Sequence, residues 1–389
     1  MPFAIYVLGL AVFAQGTSEF MLSGLVEAMA ADLDVSVSAI GSLTSAFAIG
    51  MIVGAPAVAM LSLRWPRRRA LLAFLVVFVL AHVAGALTSS FEVLFGTRVI
   101  AALSNAGFLA VGLATATAMA GPQAKGRATS VLLSGITLAC IAGVPLGAVV
   151  SQAWGWRSAF WAVVILSTPA VIAILWSVPV APVDPNAPSA RHELRVLRSP
   201  RLIVTLVLGA LVNGATFCSF TYLAPVITTV TGLSTGWVPV TLALFGIGSF
   251  VGVNTGGRGA DTRTGKVLVF GGVALLAGWL LFAVTAGNPA LALILVFVQG
   301  ALSFGVGSAL IAQALYAAAG APTMAGGFAT GAMNVGAAAG PAVGGLALSA
   351  GHGYRSPLVV SALLVAAALL SAGAARATGT TDTKVRGPV

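Results

Sequence analysis

The 389-residue chain is too apolar to fold as a soluble protein. Hydrophobic residues make up 59% of it and charged residues only 7%, and the mean hydropathy is +1.05, whereas about 25% of the residues in a soluble domain are charged. The net charge of +10 lies mainly in alternate loops between apolar segments, which is a membrane-topology pattern and not a nucleic-acid groove. The composition predicts a protein that crosses a membrane many times.

Twelve apolar segments follow one another along the chain, each close to the roughly 20 residues that a membrane-spanning helix needs. They lie at 3–26, 37–61, 69–89, 91–119, 127–151, 157–179, 201–224, 237–257, 266–286, 289–317, 323–349 and 355–375. The one long break is rich in proline and then in arginine, which is typical of a linker without a core of its own. We therefore predict an all-α integral membrane protein with six helices in 1–179, a linker at 180–200, six helices in 201–375 and a tail at 376–389.

Short motifs recur at an offset of about half the chain. Gly155–Ser158 (Gly-Trp-Arg-Ser) returns as Gly353–Ser356 (Gly-Tyr-Arg-Ser), 198 residues later, and Pro145 returns as Pro341, 196 residues later. Apolar chains built from two similar halves are frequent among secondary transporters, whose substrate site lies between the halves. The repeat therefore predicts two pseudo-symmetric six-helix domains and transport as the function.

The basic residues predict the orientation of the chain. Sixteen of the nineteen Lys and Arg residues lie in loops on one side, two (Arg157 and Arg355) lie on the other side, and Arg98 lies inside the fourth segment. Cytoplasmic loops carry the excess of positive charge. We expect both termini and the linker on the cytoplasmic side of the plasma (inner) membrane. The first external loop is acidic, with Glu27, Asp32 and Asp34.

Two loops resemble the basic inter-helix motif of the major facilitator superfamily, and this resemblance extends over essentially the whole chain. The loop after the second segment contains Arg64–Arg69, but Leu63 stands where the superfamily usually has Asp. The corresponding loop of the second half, Gly257–Arg263, keeps the acid as Asp261. The resemblance implies a cytoplasmic gate in which Asp261 matters more than the Leu63 position. Its residues would be Arg64, Arg68, Asp261 and Arg263.

Two helices rich in Gly and Pro resemble the motif typical of drug:proton antiporters in this superfamily. In the fifth segment Val144 separates Gly143 from Pro145, and the eleventh segment has the fuller copy with Gly340 and Pro341. Small side chains let helices approach closely, and Pro permits a bend. We therefore expect these residues to take part in conformational change, with ordinary tight packing as the alternative.

A more specific resemblance combines Gly16–Phe20 (Gly-Thr-Ser-Glu-Phe), Gly143–Gly147 and Gly155–Arg157. Together they resemble the actinobacterial chloramphenicol-resistance exporters of the superfamily. The resemblance implies efflux of chloramphenicol, or of a closely related small amphiphilic drug, driven by the proton-motive force without a cofactor. Its partners would be drug, protons and lipid, with no nucleic acid, and the chain would be monomeric.

Glu19 is the only acidic residue deep in a predicted span, and an acid there indicates function because its burial is costly. Gln15 and Ser23 lie four residues to either side of it, so the three form a polar stripe that suits a water-filled cavity. Arg98 lies at a similar depth, about 10 Å from the external surface. We expect Glu19 and Arg98 to pair, directly or through water, and to couple protons to drug. A permanent structural ion pair is the alternative.

Other polar and aromatic residues within the spans extend the predicted cavity, since amides in lipid need partners and aromatic surface suits a neutral amphiphile. These are Asn105, Asn213, Phe217, Phe220, Asn254, Gln299, Gln313 and Asn334. For each amide, a hydrogen bond that holds two helices together is an equally good interpretation as a contact with the ligand. His82 is interpreted as a packed histidine, and Cys140 and Cys218 as buried small hydrophobes.

Other chemistry has no support in the sequence. There is no phosphate-binding loop, no grouping with metal-ligand spacing and no Ser/His/Asp arrangement, so neither an enzyme nor a metal site is expected. Three alternatives stay open: an exporter of another small solute such as a sugar or nucleoside, an importer, and a membrane sensor that binds a ligand without transporting it.

Overall fold

The structure is a computed structural model that describes residues 2–62, 65–120, 125–178, 194–318 and 325–377. Within these ranges the backbone alone is described at 55–62, 117, 125–127, 129, 130, 133, 194 and 256–267. All regular secondary structure in these ranges is helical, as predicted.

The helices fall into two groups separated by the linker. In the first half they are Phe3–Phe20, Val26–Asp32, Val37–Ser62, Arg67–Leu87, Phe91–Ala120, Lys125–Leu138, Val144–Trp154 and Arg157–Ser177. In the second half they are Pro200–Thr221, Leu223–Pro225, Trp237–Thr285, Pro289–Ala317, Ala325–Ser349 and Ser356–Ala377. Shorter 3₁₀ or π segments are Met21–Gly24, Ala139–Gly143, Leu194–Arg198 and Val226–Val230.

Twelve helical stretches of the described chain are long and apolar enough to cross a membrane, which confirms the predicted number. We number them in chain order as spans 1 to 12. They are Phe3–Gly24, Val37–Gly54, Arg67–Leu87, Phe91–Ala120, Ser134–Trp154, Arg157–Ser177, Pro200–Thr221, Trp237–Thr255, Leu268–Thr285, Pro289–Ala317, Ala325–Ser349 and Ser356–Ala377.

The repeated Gly-Trp/Tyr-Arg-Ser motif is the turn that leads into the last span of each half. Gly155 has a φ of 81° and Gly353 a φ of 72°, a conformation that glycine adopts without the steric penalty of a Cβ. Each glycine lies two residues before an arginine: Arg157 is the first residue of span 6, and Arg355 directly precedes span 12. The sequence repeat therefore reflects a repeated structural element.

The predicted separation of spans 8 and 9 is confirmed, since Trp237–Thr255 and Leu268–Thr285 are two spans. They lie side by side, because Gly248 packs against Phe297 and Gly278 packs against Gln299, at the same level of span 10. The chain therefore reverses direction between them, so the helical stretch Trp237–Thr285 is bent back on itself and is not one straight helix.

Buried apolar side chains form two main clusters. One lies within the first half, from Ala4 to Val178. The other lies mainly within the second half but also includes residues of spans 1, 2 and 5. The two halves therefore share an apolar interface. The residues contributed by the first half are Phe20, Ala48, Cys140, Val144 and Ala148.

Polar contacts between the halves lie at the end of the bundle that carries Glu27, Asp32 and Asp34, which we call the acidic end; the opposite end is the basic end. Thr228 donates a hydrogen bond to Glu27 Oε1 at 2.5 Å. Gln152 donates to the Thr235 carbonyl at 2.7 Å, and Ser38 donates to the Gly345 carbonyl at 2.9 Å. These bonds hold the acidic end closed.

The described end of the linker packs onto the bundle. Leu194–Arg198 forms a 3₁₀ turn, and Val196 and Leu197 lie against a small buried cluster that includes Leu202 and Ala314. Residues 179–193, which include the rest of the linker, and the tail from residue 378 lie outside the described residues. The domain boundaries drawn from the sequence stay predictions.

Candidate functional site

Glu19 lies where the regular part of span 1 ends. The α-helix stops at Phe20 and a 3₁₀ turn, Met21–Gly24, follows. The Glu19 side chain is partly buried, and its Oε2 accepts a hydrogen bond from Asn105 Nδ2 at 3.4 Å. The structure thus brings together two of the predicted site residues, one from span 1 and one from span 4.

Arg98 is 1% exposed and is fixed by the residue that precedes Glu19. Its Nη1 donates to Ser18 Oγ and its Nη2 to the Ser18 carbonyl, both at 2.9 Å. The guanidinium carbon also lies 4.4 Å from the centre of the Phe47 ring, in cation–π geometry. The arginine is therefore held beside Glu19 by span 1 itself.

A direct ion pair between Glu19 and Arg98 is not formed. Among the described residues the only ion pair within 4.0 Å joins Arg157 to Asp32. In this conformation Ser18 accepts hydrogen bonds from two of the three guanidinium nitrogens of Arg98. Pairing of Glu19 with Arg98, directly or through water, stays a prediction.

His82 continues this network from span 3. It is 1% exposed, lies 4.2 Å from the Phe78 ring between ring centres, and places Nε2 2.6 Å from Ser18 Oγ. Its Nδ1 lies 2.8 Å from the Phe78 carbonyl, which can only accept, so Nδ1 carries the hydrogen. The Ser18 hydroxyl then accepts from Arg98 and donates to His82 Nε2. Sequence reasoning identified a packed histidine but missed its connection to Arg98.

Of the three residues in the predicted polar stripe of span 1, only Gln15 and Glu19 lie on the α-helix. Gln15 is 1% exposed, and neither polar atom of its amide has a hydrogen-bond partner among the described residues. Ser23 lies in the 3₁₀ turn, and its hydroxyl donates to the Phe20 carbonyl at 2.9 Å. The change of helix type after Phe20 therefore separates Ser23 from the face of Gln15 and Glu19.

Phenylalanines gather where spans 1 and 7 meet. Phe20, the neighbour of Glu19, lies 5.6 Å from Phe217, and Phe217 lies 6.3 Å from Phe220. Phe220 lies 4.7 Å from Phe245, which lies 6.2 Å from Phe304. These five residues form what we call the phenylalanine cluster. Only Phe217 and Phe220 were expected from the sequence, because the others face the site only after the spans pack.

The predicted cavity amides have different roles. Asn213 donates to the Met333 carbonyl at 2.7 Å and so links spans 7 and 11. Asn334 donates to the Thr330 carbonyl of its own helix at 3.0 Å. Gln299 is completely buried, and its Nε2 donates to the Leu275 carbonyl at 3.2 Å. Asn213 therefore joins two neighbouring helices by a hydrogen bond, which is a structural role.

The Gly/Pro helices make close contacts in both halves. A Cβ on Gly143 would overlap the Thr17 side chain, and a Cβ on Gly340 would overlap the Gly214 carbonyl. Pro145 lies in the first turn of Val144–Trp154, directly after a π segment, because a proline cannot donate the helical hydrogen bond. The Pro341 carbonyl accepts from Tyr222 Oη at 2.9 Å.

The predicted cytoplasmic gate is described only in part. Leu63 and Arg64 lie outside the described residues, and at Asp261 and Arg263 the structure describes the backbone alone. Arg68 lies partly exposed in the first turn of span 3. The gate therefore stays a prediction.

An arginine at the acidic end ties helix ends together in each half. Arg157 donates to Asp32 Oδ2 at 2.5 Å and to the Thr88 carbonyl at 3.1 Å, and Trp156 Nε1 donates to the same carboxylate at 3.1 Å. These hydrogen bonds, from Arg157 first, lower the pKa of Asp32. In the second half Arg355 donates to the carbonyls at the end of span 9.

A helical bundle with twelve spans in two similar halves and charged groups inside it is typical of secondary transporters. The chain belongs to the Major Facilitator Superfamily, whose sequence model matches residues 8–334. This is a family of multi-pass membrane transporters and not of enzymes, as the sequence predicted.

Two relatives by sequence and one solved structure are similar to the chain over most of its length. The chain is 54% identical over 375 residues to a chloramphenicol resistance protein of Streptomyces lividans, covering 96% of each chain. It is 31% identical over 350 residues to a chloramphenicol efflux pump of Mycobacterium tuberculosis, covering 87% of this chain and 84% of that one. A bacterial homologue of the human lysosomal transporter Spinster, solved in an inward-facing and occupied conformation, has a TM-score of 0.77 at 15% identity over 98% of each chain.

Proposed function

We propose that this protein exports chloramphenicol, or a closely related small amphiphilic drug, in exchange for protons and so confers antibiotic resistance. The observation that carries the proposal is the Streptomyces lividans relative, 54% identical over 96% of both chains and named for chloramphenicol resistance. The Mycobacterium tuberculosis efflux pump, 31% identical, supports the same direction of transport.

Glu19 is the proton carrier in this proposal. Its carboxyl group is partly buried, and its one described hydrogen bond comes from an uncharged partner, Asn105. An amide can serve either form of the acid, because its NH₂ donates to a carboxylate and its oxygen accepts from a carboxylic acid. Glu19 therefore takes up a proton from outside and releases it inside without leaving Asn105 unpaired.

Arg98 supplies the positive charge that makes proton exchange depend on drug. Two hydrogen bonds join the Arg98 guanidinium to Ser18, the residue directly before Glu19, and so keep it beside Glu19. A nearby cation stabilises the charged carboxylate, and a drug or water molecule that comes between the two groups weakens this stabilisation. Binding of drug and binding of a proton therefore influence one another.

The phenylalanine cluster and the neighbouring polar groups form the drug cavity. Phe20 and Cys140 from the first half and Thr216, Phe217 and Phe220 from the second half line one small cavity between the halves. Aromatic walls and few polar groups suit a neutral aromatic molecule. The cavity lies next to Glu19, because Phe20 is its neighbour in the chain.

Transport proceeds by alternating access between the two halves. The acidic end faces outside and is held closed by Glu27–Thr228, Gln152–Thr235 and Ser38–Gly345, so the next step opens it. The termini and the basic end face the cytoplasm of a single chain in the plasma membrane. Exchange of one proton for one uncharged drug moves net charge and gains about 2.3 kcal/mol per 100 mV of membrane potential.

Accumulation of chloramphenicol in energised cells tests the proposal. The cells lack other pumps and carry the intact protein, Glu19→Gln, Glu92→Gln or empty vector. Glu92 is an exposed glutamate at the acidic end and gives a matched control. We expect the intact protein and Glu92→Gln to lower accumulation several-fold, a protonophore to abolish the difference, and Glu19→Gln to behave as vector at equal expression.

Two results would count against the proposal. Unchanged accumulation with the intact protein removes chloramphenicol as the substrate. Normal export by Glu19→Gln leaves the exporter in place but removes Glu19 as the proton carrier.

A further inference from the structure

Tyr222 directly follows span 7 at the acidic end and lies between the two halves. Its side chain is 0% exposed. Its hydroxyl donates a hydrogen bond to the Pro341 carbonyl of span 11 at 2.9 Å. The ring also lies against span 2 of the first half, where a Cβ on Gly41 would overlap the hydroxyl oxygen and lie 2.7 Å from Cε1. The tyrosine therefore contacts both halves of the molecule.

Three glycines provide the space that the Tyr222 ring occupies. One is Gly41 of span 2, and the other two are Gly344 and Gly345 of span 11. A Cβ on Gly344 would lie 3.1 Å from Tyr222 Cε2, and a Cβ on Gly345 would lie 2.7 Å from Tyr222 Oη. We call these three glycines the tyrosine socket. A side chain at any of the three positions would crowd the ring, and crowding in a well-packed interior is destabilising.

The tyrosine is attached to the second half more firmly than to the first. Spans 7 and 11 approach each other closely, since a Cβ on Gly340 would overlap the Gly214 carbonyl. Tyr222 comes eight residues after Gly214, two turns further along the same face, and its hydrogen bond also goes to span 11. The contact with Gly41 is a packing contact across the interface between the halves. Separation of the halves at the acidic end would therefore take the tyrosine away from Gly41.

The Tyr222 ring is better protected from water than two of the polar contacts at the same end. The Gln152–Thr235 hydrogen bond is exposed, and the Ser38–Gly345 hydrogen bond is partly buried. Such bonds contribute little, because opening exchanges them for hydrogen bonds to water. A buried aromatic ring, in contrast, loses the packing of a large apolar surface when it is exposed. The ring is therefore the stronger contact for keeping this end closed.

We propose that Tyr222, packed against Gly41, is the contact that closes the acidic end, and that its fit in the tyrosine socket sets the balance between the closed conformation and one open to the outside. Tyr222 is then a positioning residue for transport. The inference rests on the alternating access of the proposed function, but not on the identity of the substrate or of the proton carrier.

The distance between two spin labels at the acidic end tests this role in the purified protein. The labels are attached to Ala31→Cys in the first half and His352→Cys in the second half, both exposed positions, whereas the native cysteines are buried. The labelled protein carries no further change, Gly41→Ala, Tyr222→Leu or both. Gly96→Ala is the matched control, since Gly96 also lies in a span of the first half and has no described atom within 4 Å of a Cβ.

We expect a single short distance in the parent protein and in Gly96→Ala. Gly41→Ala should raise the ratio of long to short distances roughly 5-fold or more, because the added methyl group crowds the ring only in the closed conformation. Tyr222→Leu should also raise the ratio, since the ring contact is lost. Gly41→Ala should add little in the Tyr222→Leu background, because the ring that it crowds is gone; such non-additivity is typical of residues in contact.

An equal shift by Gly41→Ala with and without the tyrosine ring would overturn the role of Tyr222, and so would a Gly41→Ala protein that stays closed. Gly345→Ala provides the same test if Gly41→Ala does not fold, because its Cβ would lie 2.7 Å from both Tyr222 Oη and Ser38 Oγ. The measurement uses neither drug nor a proton gradient. Its outcome is therefore separate from whether chloramphenicol is the substrate.

Discussion

At the scale of single residues, Ser18 connects the two buried basic side chains of the first half. Its hydroxyl lies 2.9 Å from Arg98 Nη1 and 2.6 Å from His82 Nε2, while its carbonyl accepts from Arg98 Nη2. One residue thus holds the arginine beside Glu19 and pairs with the histidine, whose tautomer is set by the Phe78 carbonyl. Removal of the hydroxyl affects both partners.

Ser18→Ala is expected to destabilise the protein by on the order of 1–3 kcal/mol, because two buried groups lose a partner. Transport should also fall, since Arg98 is held less firmly. Ser167→Ala is the matched control: Ser167 is completely buried, but its hydroxyl has no partner among the described residues. Thermal unfolding of the purified variants measures the difference. Equal stability of the two variants would show that Ser18 is not the connecting group.

Asp32 gives a prediction that depends on pH. Its pKa in the folded protein lies below its ordinary value of 3.8, so its contribution to stability is complete above that value and is lost as pH falls through the folded-state pKa. Asp32→Asn should lower the free energy of unfolding at pH 7 by less than about 1 kcal/mol, because this ion pair is exposed. The melting temperature should therefore fall slightly. The difference from wild type should disappear as pH falls below 3.8.

Asp34→Asn serves as the control for Asp32→Asn. Asp34 is exposed and has a φ of 52°, a conformation that Asn also adopts readily. Its replacement should leave the melting temperature at pH 7 unchanged. An equal effect of both substitutions would contradict a specific role for the Asp32–Arg157 pair.

The sequence was sufficient to select Glu19 and Arg98, because charged residues stand out within apolar spans. It could not show that Ser18 and not Glu19 binds the arginine. Depth along two helices can be counted from the sequence, but rotation about their axes depends on packing. Gly278 and Gln299 illustrate the same limit, since they come into contact only when spans 9 and 10 pack side by side.

At the scale of helices, the contact between spans 5 and 8 joins the two halves through a glycine. A Cβ on Gly246 would overlap the Cys140 carbonyl and lie 2.9 Å from Ile141 Cα. Cys140 and Ile141 belong to the π segment before Pro145. The irregular turn and the glycine together allow this close approach, and π segments are frequent at functional sites.

Gly246→Ala is expected to force spans 5 and 8 apart and to reduce chloramphenicol export several-fold. The overlap is with backbone atoms, which cannot move aside as a side chain would. Gly307→Ala is the control, since Gly307 lies in a helix with nothing within 4 Å of a Cβ; it should export normally and be stabilised by up to about 1 kcal/mol. Efflux assays at matched expression compare them, and equal export by both would contradict the close-packing account.

The helices themselves were largely predictable from hydropathy, because a span needs a long apolar stretch whatever its neighbours are. Span ends and local helix type were less so. The π segments and the 3₁₀ turn after Phe20 depend on contacts between helices as well as on Pro145. Helical conformation that reaches into the turn between spans 8 and 9, within Trp237–Thr285, was not expected, because the glycines and charges of Gly257–Arg263 are typical of a loop.

At the scale of the whole molecule, the two halves are joined by polar contacts at the acidic end. A cross-link between Glu27→Cys and Thr228→Cys should therefore stop transport, because the acidic end can no longer open. A reducing agent should restore it. The native Cys140 and Cys218 are buried, so a short cross-linker that joins thiols through reducible disulfide bonds, added in water, should act on the introduced pair. Each single variant is the control, and full export by the cross-linked protein would contradict alternating access at this end.

The central claim is that Glu19 carries the proton that is exchanged for drug. The most direct measurement uses purified protein in liposomes with a trapped pH indicator and a chloramphenicol gradient. Wild type and Glu92→Gln should move protons in the direction opposite to chloramphenicol, whereas Glu19→Gln should bind chloramphenicol but move no protons. Proton movement by Glu19→Gln at the wild-type rate would contradict the account, as would chloramphenicol movement by wild type without protons.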